Sequence, residues 1–255
     1  MGLADLHIHT LHSWDGIHAV SAILRYAADH TSLNVIAITD HDEIAGAYEA
    51  IDLAPAYGIE VIPGSEISTA EGHLLALFLK ERVSPGLSLA ETVLRVGEQG
   101  GLCIVAHPMA RGASSLSGEA IREALQAPGV ADALVGIEAF NAGLFHSQSN
   151  AKALALAKAL PLAKVGNSDS HVLRTIGQGA TLFAGKTAAD LRAALEAKTT
   201  LVWASPRQTS GMAIVRSWLP LYLLRSAGWV TWSPGPRERL RLGRVRQVSP
   251  SFRAS

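Results

Sequence analysis

Short apolar segments that end in polar side chains recur along the first 171 residues of the chain. Their lengths and their content of Ile, Val and Leu predict buried β-strands. They are residues 4–9 (ADLHIH), 35–42 (VIAITDHD), 60–66 (EVIPGSE), 73–79 (HLLALFL), 102–108 (LCIVAHP), 134–141 (LVGIEAFN) and 163–171 (AKVGNSDSH).

Most of these segments are followed by stretches with helical spacing. Two stretches begin at sequences that resemble a capping box, Ser88-Leu-Ala-Glu91 and Thr187-Ala-Ala-Asp190. Alternation of strands and helices predicts an α/β fold with a mostly parallel sheet, either open or closed into a barrel, and seven or so strands favour the barrel. The other predicted helices span residues 19–31, 44–57, 117–127 and 147–160.

The polar residues lie at the carboxyl ends of the predicted strands, the face where α/β barrels and open α/β sheets place their active sites. His7 and His9 are two residues apart in one strand, so their side chains point to the same side and form a chelating pair. Imidazole and carboxylate together suit Zn, Mn or Fe, and nine candidates exceed the needs of one ion, so two or three ions are expected. The other seven candidate ligands are Asp15, His41, Glu66, His73, His107, Asp169 and His171.

Composition places the chain among globular proteins. Apolar residues make up 48% and charged residues 17%, which suggests strands buried on both faces. A single cysteine, Cys103, excludes an internal disulfide and fits a reducing compartment. The first residues lack the pattern of a secretion signal, so we expect a cytoplasmic location.

Charge divides the chain near residue 205. Residues 205–255 contain nine arginines and one acidic residue, a net charge of +8, whereas residues 1–204 sum to −8. This break predicts a catalytic barrel over 1–204 and a C-terminal extension, apolar and then arginine-rich, over 205–255.

The apolar part of the extension, residues 212–232, contains Arg216, Pro220 and Arg225, which argue against a membrane span. We expect a helix packed on the barrel with its arginines pointing outward; an interfacial helix or an oligomer contact is the alternative. The arginine-rich tail that follows could contact nucleic acid or an anionic surface, although it lacks the interleaved aromatic residues of a base-stacking platform.

Six motifs occur in one order: DLHIHT followed by Asp15, then TDHD, PGSE, HLL, AHP and SDSH. In this they resemble the PHP family, named for its polymerase and histidinol phosphatase members. The resemblance runs from Asp5 to about Gly179 and implies a distorted (β/α)7 barrel that hydrolyses phosphate esters at a two- or three-metal site. It assigns the ligands as follows: His7, His9, Glu66 and Asp169 for one ion; Glu66, His73 and His107 for a second; Asp15, His41 and His171 for a third.

This chemistry implies a metal-activated hydroxide attacking a phosphate ester, with a nucleotide, a small metabolite phosphomonoester or a short oligonucleotide end as substrate. Asp40 or a metal-bound water would protonate the leaving group. Arg111 and Arg174, which follow the AHP and SDSH motifs, are candidate phosphate clamps. Glu138 and Asn141 are expected to orient ligands through hydrogen bonds.

Two details of the opening motif are open. The sequence SWDG carries an additional residue, Trp14, relative to the SDG common in the family, so the third metal site is the least defined. His12 is interpreted as an exposed loop histidine, and Asp5 as a residue that orients the strand or a ligand. Two other functions compete with phosphoester hydrolysis: a metal-dependent amidohydrolase, and a non-catalytic module stabilised by metal.

Overall fold

The computed structural model describes residues 1–110, 114–144 and 147–228. All seven predicted strands form, although most end one to four residues earlier than the apolar pattern suggested, because the chain turns at the polar residues. The strands are β1 (Gly2–Asp5), β2 (Val35–Ile38), β3 (Glu60–Ser68), β4 (His73–Leu77), β5 (Leu102–Val105), β6 (Leu134–Asn141), β7 (Ala163–Asn167), β8 (Gly179–Phe183) and β9 (Leu201–Ala204).

The described strands form one curved sheet in the order β7-β6-β5-β4-β3-β2-β1-β8-β9. Strand β4 runs antiparallel to both of its neighbours, whereas the other pairs among β1 to β7 are parallel. Beyond β1, Ile8 bridges Ser170 in parallel, and the Ser170 amide donates to the His7 carbonyl at 3.1 Å. These contacts bring the two ends of the seven-strand arc together, so the predicted barrel is present and nearly closed.

Strands β8 and β9 were not predicted. Strand β8 pairs antiparallel with the amino end of β1, and the Thr181 hydroxyl donates to the Gly166 carbonyl of β7 at 2.9 Å. It therefore lies between β1 and β7, and the segments that follow these two strands meet directly. Strand β9 lies at the sheet edge and is largely exposed, although its sequence, LVWA, is apolar throughout.

The predicted helices also form. Ser88 caps α3 by accepting the Glu91 amide, and Thr187 and Asp190 make the complete reciprocal capping box of α7. The helices are α1 (Val20–His30), α2 (Ala45–Leu53), α3 (Leu89–Glu98), α4 (Gly118–Ala124), α5 (Val130–Ala133), α6 (Ser147–Ala159), α7 (Ala188–Glu196) and α8 (Gly211–Ser226). The short α5 was not predicted, and α2 ends earlier than expected because the chain tightens into a 3-10 turn at residues 54–56.

Strand side chains alternate between two apolar clusters. In β2, Val35 and Ala37 point into the barrel interior, whereas Ile36 and Ile38 pack outward beneath α1 and α2. The interior cluster continues into α7, whose first amide donates to Glu60 at the amino end of β3. Because α7 and β8 occupy the amino-terminal end of the barrel, the carboxyl-terminal face is left for the polar residues.

Helix α8 falls within the predicted apolar extension and packs on the barrel, as the sequence suggested. Its Arg225 does not point outward, however; the guanidinium donates to carbonyl groups of the loop after β1. Arg216 is exposed. No helix among the described residues is long and apolar enough to cross a membrane. The arginine-rich tail lies outside the described residues, and the division of the chain near residue 205 stays a prediction.

Removal of a barrel-interior side chain tests this packing. Leu77, in the interior cluster, is fully buried, and Leu77→Ala should lower the free energy of unfolding by about 2–5 kcal/mol because it leaves a cavity. Leu201→Ala, at a side chain that is 57% exposed in β9, is the control and should change it by less than about 0.5 kcal/mol. Urea denaturation measures both values, and equal losses would contradict the assigned interior.

Candidate metal centre

The predicted ligands converge because the strands deliver them to one face. His7 and His9 follow β1, His41 follows β2, and Glu66 lies near the carboxyl end of β3. His73 is the first residue of β4, and since β4 is antiparallel to its neighbours, its amino end lies at this same face. The remaining ligands reach the face from turns: His107 follows β5, Asp15 lies in the loop after β1, and Asp169 and His171 follow β7.

Glu66 is the centre of the cluster. One carboxylate oxygen, Oε1, lies 2.9 Å from both His73 Nδ1 and His107 Nε2. The other, Oε2, lies 3.1 Å from His7 Nε2 and 3.4 Å from His9 Nε2. The Glu66 carboxylate therefore faces two sets of imidazoles and could contribute one oxygen to each set.

Asp169 faces the first of these sets. Its Oδ1 lies 3.3 Å from His9 Nε2 and 3.5 Å from His7 Nε2, while Oδ2 accepts a hydrogen bond from Asn141. The Asp169 backbone has a φ of 50°, in the left-handed region that a non-glycine residue rarely adopts. The turn after β7 thus holds the carboxylate at a conformational cost.

A further group of candidate ligands lies around Asp15. Its Oδ2 is 2.7 Å from His171 Nε2 and 3.4 Å from His41 Nε2. The Ser13 hydroxyl donates to Oδ1 at 2.6 Å and fixes the carboxylate in the loop. The additional residue Trp14 does not displace Asp15 from the cluster, because the loop bulges outward and leaves the Trp14 ring on the surface, where it is 63% exposed.

The donor set fits bound cations. Its nine residues form overlapping groups of three whose potential ligand atoms lie within 4.8 Å of one another. Two buried nitrogens, His9 Nε2 and His73 Nδ1, lack a hydrogen bond of acceptable geometry although carboxylate oxygens lie close to both. Buried polar atoms without partners are costly, and a metal ion between nitrogen and oxygen would satisfy them. The partition of the nine ligands among individual ions stays a prediction.

The electrostatics of the metal-free cluster depend on burial and on ion pairs. Burial alone raises the pKa of Glu66, but His41 and His7 outweigh it and hold that pKa well below its usual value. Burial alone lowers the pKa of His41 and His171, but Glu66 and Asp15 outweigh it for His41 and Asp15 for His171, and raise each pKa to about 9. For His9, burial prevails and the pKa falls to about 4.

The hydrogen bonds expected of Glu138 and Asn141 are present. Glu138 Oε1 pairs with His7 Nδ1 at 2.9 Å, and its Oε2 accepts the His107 backbone amide at 2.6 Å. The Asn141 amide donates to Glu138 and to Asp169. One buried carboxylate thus orients two candidate ligands that belong to different strands. Asp5 accepts the Ser168 and Gly177 amides, as expected of a residue that orients the chain after β7.

Two of the predicted catalytic residues, Asp40 and Arg174, are not among the residues that line the centre. Both Asp40 oxygens accept hydrogen bonds from Thr10, at 2.6 and 2.7 Å, so this carboxylate braces the loop after β1 instead of facing the cavity. Arg174 is exposed and donates to Ala213 and Ser217 of α8. The side chain predicted as a general acid, Asp40, thus contacts Thr10, and the side chain predicted as a phosphate clamp, Arg174, contacts α8. Arg111 lies outside the described residues.

The cluster forms the floor of a cavity of about 480 Å³. One part of its wall is polar and consists of the candidate ligands. Another part is apolar and was not predicted as part of a site, because α8 carries no recognisable motif and Trp14 was interpreted only as an additional residue of its loop. The apolar residues are Trp14, Leu144, Ile214, Val215 and Trp218. His12, which was interpreted as an exposed loop residue, is half-buried against Glu49 at 2.7 Å.

Comparison with known proteins assigns the family. The model of the PHP domain matches residues 5–87, and the model of the PHP-associated region matches residues 147–200. The chain belongs to the PHP family. The two matches contain eight of the nine candidate ligands, with His107 between them.

Individual proteins from other organisms are similar to this chain over part of its length. An uncharacterized protein of Methanocaldococcus jannaschii, MJ1587, is 44% identical over 115 residues, 41% of this chain and 67% of that protein. A 5'-3' exoribonuclease of Haemophilus influenzae is 31% identical over 196 residues, 75% of this chain and 63% of that protein. The matched regions thus span about two thirds of the length of these relatives.

Solved structures share the PHP barrel. A two-domain protein from Bacteroides vulgatus, described as containing a predicted PHP-like metal-dependent phosphoesterase, matches 87% of this chain and 68% of its own, at 19% identity and a TM-score of 0.61. An amidohydrolase from Chromobacterium violaceum matches 78% of this chain and 97% of its own, at 20% identity and a TM-score of 0.55. One of these proteins is named a phosphoesterase and the other an amidohydrolase. The fold by itself therefore does not identify the reaction.

Proton release on metal binding tests the cluster. At pH 7.5 the metal-free protein should carry protons on His41 and His171, because each pKa is raised to about 9. A histidine must lose its proton to bind a metal ion. Calorimetric titration of chelator-treated protein with Mn²⁺, in two buffers of different ionisation enthalpy, should show net proton release. The release should shrink at pH 9.5, where these histidines are more often neutral, and buffer-independent heats at pH 7.5 would contradict the assignment.

Glu138 offers a test that leaves the nine ligands intact. Glu138→Gln should weaken metal affinity by about 10–100-fold, because the carboxylate that orients His7 and His107 is lost. The control is Glu49→Gln, the same change at a carboxylate that pairs with His12. Competition with a chromophoric chelator measures both affinities, and equal values for the two variants would show that Glu138 does not support the centre.

Proposed function

We propose that this PHP protein is a metal-dependent phosphoesterase that hydrolyses a small phosphate ester. The observation that carries the proposal is the convergence of nine candidate nitrogen and oxygen ligands, Glu66 among them, in one cluster beside a cavity of about 480 Å³. A cavity of this size holds a small molecule.

Three sets of residues would hold the ions, which we expect to be Mn, Fe or Zn. When bound, such ions lower the pKa of water and neutralise the negative charge of a phosphoryl group. Glu66 would serve two ions, because its two oxygens face different imidazoles. Following the family resemblance, the sets would be His7, His9, Glu66 and Asp169; Glu66, His73 and His107; and Asp15, His41 and His171.

The protein contributes orientation and a restricted, partly apolar cavity. Glu138 orients the His7 ring through Nδ1 and holds the His107 backbone through its amide, and Ser13 fixes the Asp15 carboxylate. No lysine or arginine is found among the described residues that line the cavity. Phosphate charge would therefore be met chiefly at the ligand cluster. Arg111, at the edge of this face by sequence, remains our candidate for a cationic contact.

Several substrates share this chemistry: a nucleotide, a small metabolite phosphomonoester and the end of a short oligonucleotide. The relative named as a 5'-3' exoribonuclease supports the nucleotide and oligonucleotide members of this set. We also propose a cytoplasmic location, which the single buried cysteine supports, since thiols stay reduced there.

A substrate panel tests the reaction. Metal-reconstituted protein should release phosphate or nucleotide from phosphate esters, and a chelator should stop the release. Glu66→Gln should lower the rate more than about 100-fold, beyond the usual effect of a residue that only supports a ligand. Glu49→Gln should retain activity, because Glu49 lies away from the cavity lining.

The other two functions give different outcomes in this panel. Turnover of cyclic amides or lactones without turnover of phosphate esters would identify an amidohydrolase. For a non-catalytic module, His107→Ala and Asp169→Ala would lower the melting temperature, while the wild-type protein would turn over neither class of substrate.

A further inference from the structure

Helix α8 lies beside the metal centre. Its residues Ile214, Val215 and Trp218 line the same cavity as the candidate ligands. Most side chains of the helix are at least partly exposed, and its leucines face away from the barrel. The helix therefore contributes little to the barrel core, and its contact with the cavity requires another explanation.

Two loops that carry candidate ligands hold α8 in place. The Trp218 indole N–H donates to the Asp15 carbonyl at 2.8 Å. The Arg225 guanidinium donates to the Leu11 carbonyl at 3.0 Å and to the Ser13 carbonyl at 2.7 Å. From the other side, Arg174, three residues after His171, donates to the Ala213 carbonyl. The position of α8 is thus tied to the loops that deliver Asp15 and His171.

Two tryptophans make this side of the cavity aromatic. The Trp14 ring stacks on His41 at a centroid distance of 5.6 Å and an interplanar angle of 24°, yet 63% of the residue stays exposed. The Trp218 ring stacks on Tyr222 at 4.4 Å and 18°. Ile214 packs with Ile17 in a small apolar cluster. Trp14 and Trp218 thus belong to one apolar wall of the cavity, and a contiguous apolar surface rimmed by polar residues is typical of a ligand-binding groove.

We propose that Trp14 and α8 form a subsite for a flat aromatic ring attached to the phosphate ester, and that this ring is a nucleobase. The inference rests on the proposed phosphoesterase function and narrows its substrate to a nucleotide. The cavity sets a polar side for the phosphate against an aromatic side for the base. Stacking on indole rings accepts any base, because every base has a π-face.

The same cavity disfavours the interior of a nucleic acid strand. A groove that follows a phosphate backbone is lined by lysine and arginine, and the described lining residues include neither. Its volume of about 480 Å³ is in the range of small-molecule pockets. A free mononucleotide, with one phosphate at the ligand cluster and one base at the tryptophans, matches these features.

Two substrates that differ only in the base test the subsite. AMP and ribose 5-phosphate carry the same 5'-phosphomonoester, and the wild-type protein should favour AMP in kcat/KM. The ratio of the two kcat/KM values should fall by about tenfold or more in Trp14→Ala and in Trp218→Ala, since base stacking is lost. Leu223→Ala, at an exposed position of α8, is the matched control and should keep the wild-type ratio.

A ratio that is unchanged in both tryptophan variants would overturn the subsite. So would an equal loss for the two substrates, because it would mean that the tryptophans only support the ligand loops. Trp218→Phe separates these roles: it removes the hydrogen bond to Asp15 but keeps an aromatic ring, so the ratio should stay closer to wild type than in Trp218→Ala.

Binding without hydrolysis makes the test independent of the proposed reaction. Adenosine should bind to chelator-treated protein and quench tryptophan fluorescence, ribose should not bind, and Trp14→Ala should weaken adenosine binding. If no phosphate ester is hydrolysed while adenosine binds in this way, the proposed function fails and the aromatic subsite stands. If phosphate esters are hydrolysed but adenosine does not bind and AMP has no advantage, the subsite fails and the proposed function stands.

Discussion

The structure depends on one buried carboxylate. Glu66 is 1% exposed and is surrounded by five imidazoles from four strand ends, a pairing that offsets the large cost of burying its charge. The requirement is mutual, because the buried histidines need the carboxylate or a cation to satisfy their nitrogens. The imidazoles belong to His7, His9, His41, His73 and His107. Strand ends that are far apart in sequence are thus fixed relative to one another at the face where the site lies.

Backbone conformation at this face shows the same constraint. His107 has a φ of 24° and Asp169 a φ of 50°, values that cost about 1–3 kcal/mol at a non-glycine residue. Surrounding contacts must over-determine such turns, and they do: Glu138 accepts the His107 amide at 2.6 Å, and Asp5 accepts the Ser168 amide. The conformational cost falls on ligand positions, which is expected where the placement of a side chain matters more than local stability.

Candidate ligands that directly follow an apolar run could be predicted from the sequence, whereas the contacts of individual loop side chains could not. Strand periodicity fixes the side to which His7 and His9 point, and the end of each apolar run fixes where a ligand emerges. Asp40 has the same sequence signal as His41, yet Thr10 binds both of its oxygens and draws it out of the cavity. Arg174 similarly follows a ligand motif but contacts α8. A loop side chain is positioned by tertiary partners that a single sequence does not identify.

Helix α8 illustrates this limit most clearly. The charge of the chain changes sign near residue 205, which suggests that the segment after it is independent of the acidic barrel. The partners of Arg225, however, are backbone carbonyls of Leu11 and Ser13, and Trp218 also donates to a carbonyl. A carbonyl acceptor exists at every residue, so such contacts leave no complementary acidic pattern in the sequence. The distribution of charge along the sequence therefore does not predict the contact between α8 and the ligand loops. That contact depends on the positions of backbone carbonyls in the folded chain.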